Sequence, residues 1–472
     1  MFPLFKGVDV MGEIIFSLTA IFQIIVFAMM MYYFVLAFFG LKRKHEKKNY
    51  TPTKKFAMIV AAHNEEVVIG KLIESMLNQD YPRELFDVFV IADNCTDNTA
   101  KIARKYGVYV YERFNKEQKG KGYALEWIFN KIFNMQKKYD AVAIFDADNL
   151  VSKNWCKEIN SKMLDGYKVV QGYIDSKNPN DSWIATSYSI AFWTQNRMYQ
   201  LARANAGLSN QIGGTGFAID TKVLQEFGWG ATCLTEDLEF SCKLILNGEK
   251  VGWAHDAIIY DEKPLTLKQS WVQRRRWMQG FTDVASRYFF KLLKKGIKER
   301  KWFVLDCALY VIQPFFTLMM GISALLSFAQ SMSPLNIFLV SYLTGSFTFK
   351  VLGIVQFLIT PLVLRIEKKI STGLLAMIVF YSSNVFILPI FSTRADNYIQ
   401  VLLIDIIFNG MFLLATALFL GRKTLILFFR FLLYSFYTLT WIPITVEGIM
   451  RKNNKEWHPT KHIRNIEICD VQ

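Results

Sequence analysis

Two carboxylates stand two residues apart at the end of an apolar run, where "AVAIFDAD" (141–148) closes on Asp146 and Asp148. Such a pair can hold Mg²⁺ or Mn²⁺ against a diphosphate, because hard cations take oxygen ligands and leave room for substrate phosphates. The alternative is a solvated turn, which is what a bare Asp-x-Asp match most often is. The apolar run before the pair favours the metal site.

A second acidic motif, "DNCTDNT" (93–99), also follows a short apolar run. Asp93 could accept a hydrogen bond from a base such as uracil. Asp97 or Asn98 could instead cap the helix that follows. The two roles are compatible, so the motif by itself leaves both open.

Two glycine-containing motifs follow, "KGKGYALEW" (119–127) and "QIGGTGFAID" (211–220). Glycine lets the backbone approach a ligand closely, and the lysine of such a turn adds a point charge for phosphate. The alternatives are an exposed basic turn in the first motif and a tight turn in the second.

The motif "TED" (235–237) offers a candidate catalytic base. A carboxylate in this position could take a proton from a hydroxyl nucleophile. The alternative is a helix start, in which Thr235 caps the helix while Glu236 and Asp237 interact with its dipole.

The stretch "SWVQRRRWMQG" (270–280) combines three arginines with two tryptophans. An indole offers a flat apolar face for a sugar ring, and arginines offer forks that match phosphate. A basic flank of a membrane segment would explain the arginines but not Gln273 and Trp277.

Apolar runs alternate with helical patterns between residues 56 and 300, which predicts a parallel sheet buried on both faces. The predicted strands are 56–62, 87–93, 108–112 and 141–148. Ligands bind such sheets beyond the carboxyl ends of the strands. The carboxylates Glu65, Asp93 and the 146/148 pair are expected to lie there.

The composition predicts a polar domain inserted into a membrane protein, because 52% of the 472 residues are hydrophobic while 20% are charged. The net charge of +15 is compatible with nucleic acid, anionic lipid or a phosphorylated substrate. Basic residues concentrate at 41–55 and 291–302, which favours membrane topology over nucleic-acid binding.

The six cysteines show no metal-ligand spacing and are interpreted as reduced cytosolic thiols.

Residues 14–40 are long and apolar enough to span a bilayer as a retained helix, and the lysines that follow place residue 41 in the cytoplasm. Further spans are expected at 303–330, 344–365, 372–392 and 399–420. Segment 424–447 is expected to be an interfacial or re-entrant helix, which keeps the basic tail inside.

Taken in order, "HNEE" (63–66), "DNCTDNT", "DAD", "TED" and "QRRRW" (273–277) resemble the inverting family 2 glycosyltransferases. The resemblance is closest to the processive membrane synthases of cellulose, hyaluronan, poly-N-acetylglucosamine and mixed-linkage glucan. It implies an α/β GT-A (Rossmann-like) cytoplasmic catalytic domain inserted between α-helical transmembrane segments. The implied parts are an N-terminal transmembrane helix (1–41), the GT-A domain (42–270), interfacial helices carrying QRRRW (271–302), helices forming a polymer channel (303–447) and a cytoplasmic gating-loop tail (448–472).

The resemblance also implies a role for each matching residue. The donor-binding residues would be His63, Glu65, Asp93, Lys121, Asp146 and Asp148, with Mg²⁺ or Mn²⁺ held mainly by Asp148 and also by Asp146. The catalytic motif would be Thr235, Glu236 and Asp237, with Asp237 as the base. The acceptor and diphosphate residues would be Gly214, Thr215, Gln273, Arg274, Arg276 and Trp277. In "EWHPTKH" (456–462) the gating-loop contacts would be Trp457, Thr460 and either Lys461 or His462.

The implied activity is processive, inverting polymerisation of a UDP-hexose, with UDP-glucose as the first choice, into a β-linked polysaccharide that crosses the plasma membrane. The expected product is cellulose-like or a mixed 1,3/1,4-glucan. The alternatives are a poly-N-acetylglucosamine or hyaluronan-type synthase, a non-processive lipid-linked sugar transferase, and a catalytically inactive pore subunit. The expected partners are the UDP-sugar, the growing polysaccharide and the lipid membrane, without nucleic acid. An accessory export or regulatory subunit is compatible with the chain but not required by it.

Overall fold

Eight strands carry the apolar runs of the polar region and form one sheet, in the order β3-β2-β1-β4-β7-β6-β8-β5. The strands are β1 (Phe56–Ala62), β2 (Phe86–Asp93), β3 (Tyr109–Arg113), β4 (Ala141–Asp146), β5 (Leu150–Val151), β6 (Val169–Ser176), β7 (Phe217–Asp220) and β8 (Val251–Asp261). The four predicted strands are therefore present, with ends shifted by at most two residues. The computed structural model describes residues 3–230, 233–332, 337–392, 397–453 and 462–471.

The sheet is mixed rather than purely parallel. Strands β1 to β4 pair in parallel, as predicted, and β6 pairs in parallel with β8. Strand β7 runs antiparallel to both of its neighbours, β4 and β6, and β5 runs antiparallel to β8. The α/β fold class is confirmed, and the prediction of an entirely parallel sheet is wrong beyond β4.

Seventeen α-helices occur in the described part of the chain. They are α1 (Pro3–Phe38), α2 (Ile69–Leu77), α3 (Thr99–Arg104), α4 (Lys121–Phe133), α5 (Trp155–Leu164), α6 (Trp183–Gln195), α7 (Ala202–Asn205), α8 (Thr221–Phe227), α9 (Glu236–Leu246), α10 (Leu267–Glu299), α11 (Trp302–Val311), α12 (Gln313–Met332), α13 (Leu339–Ile366), α14 (Thr372–Ser382), α15 (Asn384–Ser392), α16 (Tyr398–Leu439) and α17 (Trp441–Met450). A π-helical segment, Asn196–Leu201, joins α6 to α7. The chain divides into two compact units, one of residues 38–315 with 443–472 and one of residues 1–37 with 316–442.

The first unit is built on a sheet that is buried on both faces. In β1, Met58 and Val60 belong to one apolar cluster, whereas Ala57 and Ile59 belong to the other. Successive side chains of a strand point to opposite faces, so a continuous apolar strand supplies two cores at once. Helices α2 and α5 cover one face, and α4, α8 and α9 cover the other. This double-sided burial fixes the strand ends from which the polar loops emerge.

The antiparallel direction of β7 decides which loops meet. The carboxyl ends of β1, β2, β4, β6 and β8 lie at one edge of the sheet, because these strands share a direction. The amino end of β7 lies at the same edge, so the glycine segment 213–216 arrives beside the acidic loops. A parallel β7 would have placed that segment at the opposite edge.

A buried ion pair attaches α11 to this unit. The Arg203 guanidinium donates two hydrogen bonds to the Asp306 carboxylate at 2.8 and 2.9 Å. The two side chains are 0% and 1% exposed, and the guanidinium also lies 3.3 Å from the Tyr199 ring centroid. Loss of one partner of a buried ion pair strongly destabilises the folded protein. This bidentate contact therefore fixes the position of α11.

The second unit is helical and strongly apolar. Among the described residues, Gly12–Phe38 and Ile399–Met450 are long and apolar enough to cross a membrane, and the bent pair Trp302–Val311 with Gln313–Gln330 is a third candidate if it is counted as one span. Within this unit, the buried Gln23 amide donates to the Ile337 carbonyl and accepts from the Leu339 amide, which joins α1 to the start of α13.

Segment 424–447 is helical and falls in α16 and α17. Gly421 has φ +78° and interrupts α16 directly after the predicted span 399–420. The interfacial placement of 424–447 stays a prediction.

Candidate active site

The paired aspartates stand at the end of β4 in two different environments. The Asp146 side chain is 41% exposed. Asp148 is 6% exposed, and its Oδ2 accepts a hydrogen bond from the Glu262 backbone amide at 2.9 Å. Burial favours a protonated Asp148, but the positive charges of His462 and Lys177 outweigh that effect and lower its pKa. Asp148 is therefore an ionised carboxylate that points into a largely enclosed position.

Lys121 connects the lysine-glycine turn, the aspartate pair and the glycine segment. It is the first residue of α4 and follows Gly120, whose φ of +110° is a conformation that glycine adopts readily. The Lys121 ammonium lies 2.5 Å from Asp146 Oδ1 and donates to the Gly214 carbonyl at 2.6 Å. The lysine-glycine turn, the aspartate pair and the glycine segment before β7 thus form one cluster.

The glycine segment is tied to the aspartate pair by its threonine. The Asp146 backbone amide donates to Thr215 Oγ1 at 3.0 Å, and the Gln171 side-chain amide donates to the Thr215 carbonyl at 2.9 Å. Thr215 therefore orients the backbone around Asp146 and has its own hydroxyl occupied. Its predicted role toward the acceptor or the diphosphate stays a prediction.

Asp237 lies against the glycine segment. Gly214 has φ +83°, and a Cβ built on it would lie 3.4 Å from Asp237 Oδ2. Burial raises the pKa of Asp237 to about 7, and the neighbouring Glu236 carboxylate adds to the effect. A carboxylate whose pKa lies near neutrality can accept a proton and later release it, which is the property that a general base needs.

The segment 235–237 starts α9, as the alternative interpretation predicts, but Thr235 occupies the N-cap position without a side-chain capping hydrogen bond. Instead, Thr235 packs against α10, where a Cβ built on Gly280 would lie 2.4 Å from the Thr235 Cγ2 and Oγ1 atoms. Burial raises the pKa of Glu236, and the charges of Lys121 and Arg276 oppose that effect. Helix α10 is thus in direct contact with the motif that carries the candidate base.

The Asp93 end of the site is organised by an arginine that the sequence analysis missed. Arg113 Nη1 donates to Asp93 Oδ1 at 2.6 Å, and the two side chains are 4% and 9% exposed. His63 Nδ1 lies 2.8 Å from the Asp93 carbonyl oxygen. The first turn of α3 is capped by Asp97, whose Oδ1 accepts from the Thr99 amide, whereas Asn98 makes no side-chain cap. Asp93 is therefore free of the capping role and is held in place by Arg113.

The C-terminal segment enters the same cluster. His462 Nδ1 lies 2.9 Å from Glu65 Oε1, and its Nε2 lies 3.9 Å from Asp148 Oδ2. Burial disfavours the charged imidazole, but Asp148 and Glu65 outweigh that effect and raise the His462 pKa to about 10. The Glu262 side chain accepts from the backbone amides of residues 463 and 464. Trp457, Thr460 and Lys461 lie outside the described residues.

The QRRRW motif lies within α10 and presents its side chains in different directions. Gln273 accepts a hydrogen bond from the Tyr188 hydroxyl. The Trp277 ring lies 5.9 Å from the Tyr188 ring and 6.3 Å from the Phe192 ring, measured between centroids. These residues form an aromatic cluster between α6 and α10, which is a suitable surface for stacking on a sugar.

The three arginines of the motif differ in burial and partners. Arg274 is fully buried, and its Nε donates to the Ser270 carbonyl at 3.4 Å. Arg275 pairs with Glu447 at 2.7 Å, whereas Arg276 lies near enough to Glu236 for its charge to act on that carboxylate. The predicted diphosphate role therefore suits the position of Arg276 better than that of Arg274.

The carboxylate ligands available here fit a divalent cation that takes its remaining ligands from the substrate. In the described ranges, no group of three or more histidine, cysteine, aspartate or glutamate side chains converges on one metal position. Two carboxylates, one of them enclosed and ionised, match the incomplete oxygen set of Mg²⁺-type sites, which substrate phosphates and water complete. Asp148 and Asp146 would hold such an ion.

Several residues of the site were not found from the sequence. They are Arg113, Gln171, Lys177, Tyr188, Phe192 and Glu262. Arg113 and Glu262 stand at strand ends, so the argument that located Asp93 would also have reached them. Tyr188 and Phe192 lie on a helix that is buried on most sides and shows no periodic signal.

The sequence matches the family described as "Glycosyltransferase like family 2" over residues 52–280. It is 27% identical to a probable glycosyltransferase YdaM of Bacillus subtilis over 263 residues, which cover 53% of this chain and 61% of that protein. It is 25% identical to a beta-monoglucosyldiacylglycerol synthase of Nostoc over 56% of each chain. It is 24% identical to a poly-beta-1,6-N-acetyl-D-glucosamine synthase of Staphylococcus epidermidis over 70% of this chain and 80% of that protein.

The fold is similar to that of a mannosyltransferase from Pyrobaculum calidifontis solved with GDP-Man and Mn²⁺, with a TM-score of 0.52 at 15% identity. The similarity covers 93% of this chain and 99% of that one. The chain matches only 61% and 56% of the length of the first two curated relatives. The expected GT-A fold, with a mixed sheet, is confirmed.

Replacing Asp237 by Asn should reduce turnover by about 10²- to 10⁴-fold, because the variant keeps the shape of the site and loses the proton acceptor. Binding of the nucleotide should stay within about threefold of wild type. Turnover and nucleotide affinity, measured on the same detergent-purified protein, check this expectation. Asp220→Asn, at the N-cap of α8, is the matched control. Turnover within a few-fold of wild type in Asp237→Asn would remove Asp237 from the mechanism.

The pH profile should show the raised pKa of Asp237. Because the base acts when deprotonated, kcat/KM should rise with pH through an acid limb near pH 7. Glu236→Gln removes a neighbouring negative charge and should move that limb to lower pH. Glu226→Gln, an exposed carboxylate on α8, should leave it in place. An unchanged limb in Glu236→Gln would separate the titration from this carboxylate pair.

Gly280→Ala should impair catalysis more than binding. The added Cβ would collide with Thr235 and push α10 away from the first turn of α9, and a displacement of about 1 Å can cost about 10²-fold in rate. Turnover should fall at least tenfold while nucleotide affinity changes little. Gly353→Ala places its Cβ in open space and should have no effect. Full turnover in Gly280→Ala would show that the contact tolerates a methyl group.

Proposed function

We propose, from the premise that residues 52–280 are a family 2 glycosyltransferase domain of the GT-A fold, that the chain transfers a hexose from a UDP-sugar with inversion and builds a β-linked polysaccharide. The observation that carries the proposal is the cluster at the sheet edge. Asp237, with a pKa near neutrality, lies beside the same glycine segment that Lys121 ties to the aspartate pair.

The proposed reaction is a single displacement. Asp237 takes the proton of the acceptor hydroxyl, whose oxygen forms a bond to C1 of the α-linked sugar while the bond from C1 to the diphosphate oxygen breaks. Attack on the opposite face gives the β-linkage, and UDP leaves with the electron pair. Lys121 and Arg276 are the cations of this cluster that can stabilise the departing charge. The Mg²⁺ or Mn²⁺ held by Asp148 and Asp146 would supply further charge stabilisation.

The remaining contacts to the donor nucleotide are proposed from where the residues lie in the site. Asp93, held by Arg113 and His63, would accept a hydrogen bond from the uracil base. Glu65 and the C-terminal segment with His462 lie between this end and Asp148, where the ribose and phosphates would pass. His462 would then belong to a segment that closes over the bound nucleotide.

Polymerisation is proposed from the acceptor side. Trp277, backed by Tyr188 and Phe192, would stack on the terminal sugar and hold the product for the next transfer. The candidate membrane helices on both sides of the domain would place the catalytic unit at the cytoplasmic face of the plasma membrane and provide a path for the polymer. A poly-N-acetylglucosamine synthase among the relatives supports a polymeric product.

UDP-glucose is the first donor to test, and UDP-N-acetylglucosamine is the second. The relatives named for glucosyl and N-acetylglucosamine products support these two choices. The glucolipid synthase similarity also favours a second candidate function, transfer of one glucose to a membrane diacylglycerol. The two functions share the donor side of the site and differ in what stacks on Trp277.

The test is UDP release by the detergent-purified protein with Mg²⁺ or Mn²⁺. UDP-glucose, UDP-N-acetylglucosamine, UDP-galactose and UDP-glucuronate would be supplied singly and in pairs, with and without diacylglycerol. A high-molecular-weight product that β-specific glycosidases degrade supports the synthase. A single sugar on lipid supports the second candidate, a requirement for two donors indicates a heteropolymer, and no UDP release from any donor contradicts both.

Trp277→Ala should separate acceptor binding from donor binding. Loss of the indole that stacks on the acceptor sugar should shorten the product and lower polymer synthesis at least tenfold. UDP affinity should stay within about threefold of wild type. Trp302→Ala, an exposed tryptophan at the start of α11, is the matched control. Equal losses of polymer synthesis and UDP affinity in Trp277→Ala would indicate a structural tryptophan.

A further inference from the structure

Lys177 is a buried cation that none of the assigned roles uses. It follows β6 directly, the residue is 7% exposed, and its backbone amide donates to the Asp261 carbonyl at 2.9 Å. Within the ranges that the structure describes, its ammonium has no hydrogen bond and no ion pair shorter than 4 Å. Lysine is almost never fully buried without a partner, because burying an uncompensated charge is costly. A largely buried lysine at a strand end, whose ammonium has no partner in the described ranges, therefore points to a ligand.

The surroundings of Lys177 are the acidic loops of the site. The Glu262 amide that binds Asp148 belongs to the loop that follows β8, and Ser176 pairs with Asp261 in the register of β6 and β8. Burial lowers the pKa of Lys177, and the charges of Asp148, Glu262 and other nearby carboxylates oppose this. The ammonium thus lies on the Asp148 side of the aspartate pair.

The two lysines therefore approach the aspartate pair from different elements. Lys121 binds Asp146 from the start of α4, and Lys177 approaches Asp148 from the end of β6. A donor diphosphate adds several negative charges to a site that already contains Glu65, Asp146 and Asp148. A single lysine and one divalent ion offset only part of this charge, and an ammonium is a compact phosphate ligand.

We propose that Lys177 is a second lysine ligand of the donor's diphosphate, placed on the Asp148 side opposite to Lys121. The inference rests on the proposed function, because it takes a nucleoside diphosphate sugar as the donor. It also implies that the Lys177 ammonium contacts phosphate oxygen directly, in the presence or absence of the divalent ion.

A role in neutralising Asp148 would change the Mn²⁺ and UDP affinities in a different way. If Lys177 served only to neutralise Asp148, its removal would leave the site more negative and would tighten Mn²⁺ binding, without a specific loss of diphosphate affinity. If it binds the diphosphate, its removal weakens UDP binding and leaves uridine binding unchanged. The number of phosphates on the probe therefore distinguishes the two roles.

The experiment compares wild type with Lys177→Met, which keeps the length of the apolar stem, and with the charge-preserving Lys177→Arg. Lys168→Met, an exposed lysine just before β6 that pairs with Glu249, is the matched control. Affinities for uridine, UMP and UDP are measured by calorimetry in EDTA and again with Mn²⁺, together with the affinity for Mn²⁺ alone. Lys177→Gln is the second variant if Lys177→Met does not fold.

The expected result is a loss of about 10- to 100-fold in UDP affinity in Lys177→Met, both in EDTA and with Mn²⁺. UMP should lose less than UDP, uridine should be unaffected, and Lys177→Arg should retain most of the UDP affinity. Lys168→Met should match wild type throughout.

Four results would overturn the inference. Equal UDP affinity in wild type and Lys177→Met would overturn the role of Lys177 but not the proposed function. Equal losses of affinity for uridine, UMP and UDP would do the same. Tighter Mn²⁺ binding with undiminished UDP affinity would assign Lys177 to neutralising Asp148. A wild-type protein that does not bind UDP under any condition would overturn the proposed function and this inference together.

Discussion

The crowding of carboxylates at one edge of the sheet is the constraint on which the site depends. Apolar strands that share a direction deliver their acidic loops to the same place, and burial makes each negative charge expensive there. The structure meets most of these charges with a specific cation. The pairs are Asp93 with Arg113, Asp146 with Lys121, Glu65 with His462 and Asp261 with Lys263.

Asp237 and Glu236 differ from these four carboxylates, since neither has an ion pair within the described part of the chain. The same burial that the other carboxylates offset with a cation raises the Asp237 pKa to about 7. The sign of the linked stability follows from the raised pKa. This carboxylate has no effect on folding below the ordinary aspartate pKa, and it destabilises the folded state increasingly as the pH rises toward 7. The position proposed for the general base is thus obtained at the expense of stability, as is common at active sites.

The sequence was sufficient for features that local patterns determine. The strands 56–62 and 87–93 could be located because they are continuous apolar runs that serve two cores, and the acidic residues after them could then be placed at one edge. The direction of β7 could not be predicted, because four residues between a glycine segment and helix α8 carry no directional signal. The contact of Asp237 with Gly214 depends on that direction, and so does the arrival of Lys121 beside both.

Contacts between distant segments were also beyond prediction. Arg113 could have been suspected from its place at a strand end, but its pairing with Asp93 requires the register of β2 with β3. His462 was expected in a gating segment, whereas its contact with Glu65 joins residues nearly 400 positions apart. Lys177 had no sequence signal at all, since its burial results from the packing of the β6 and β8 loops around it.

The stereochemistry of transfer tests the central claim most directly, because one carboxylate base acting on an acceptor hydroxyl allows only a single displacement. The anomeric configuration of the first sugar that the purified protein transfers from an α-linked UDP-sugar can be read by proton NMR at early times. A single displacement gives a β-linked product. An α-linked product would require two displacements or a front-face mechanism, and it would contradict the role assigned to Asp237.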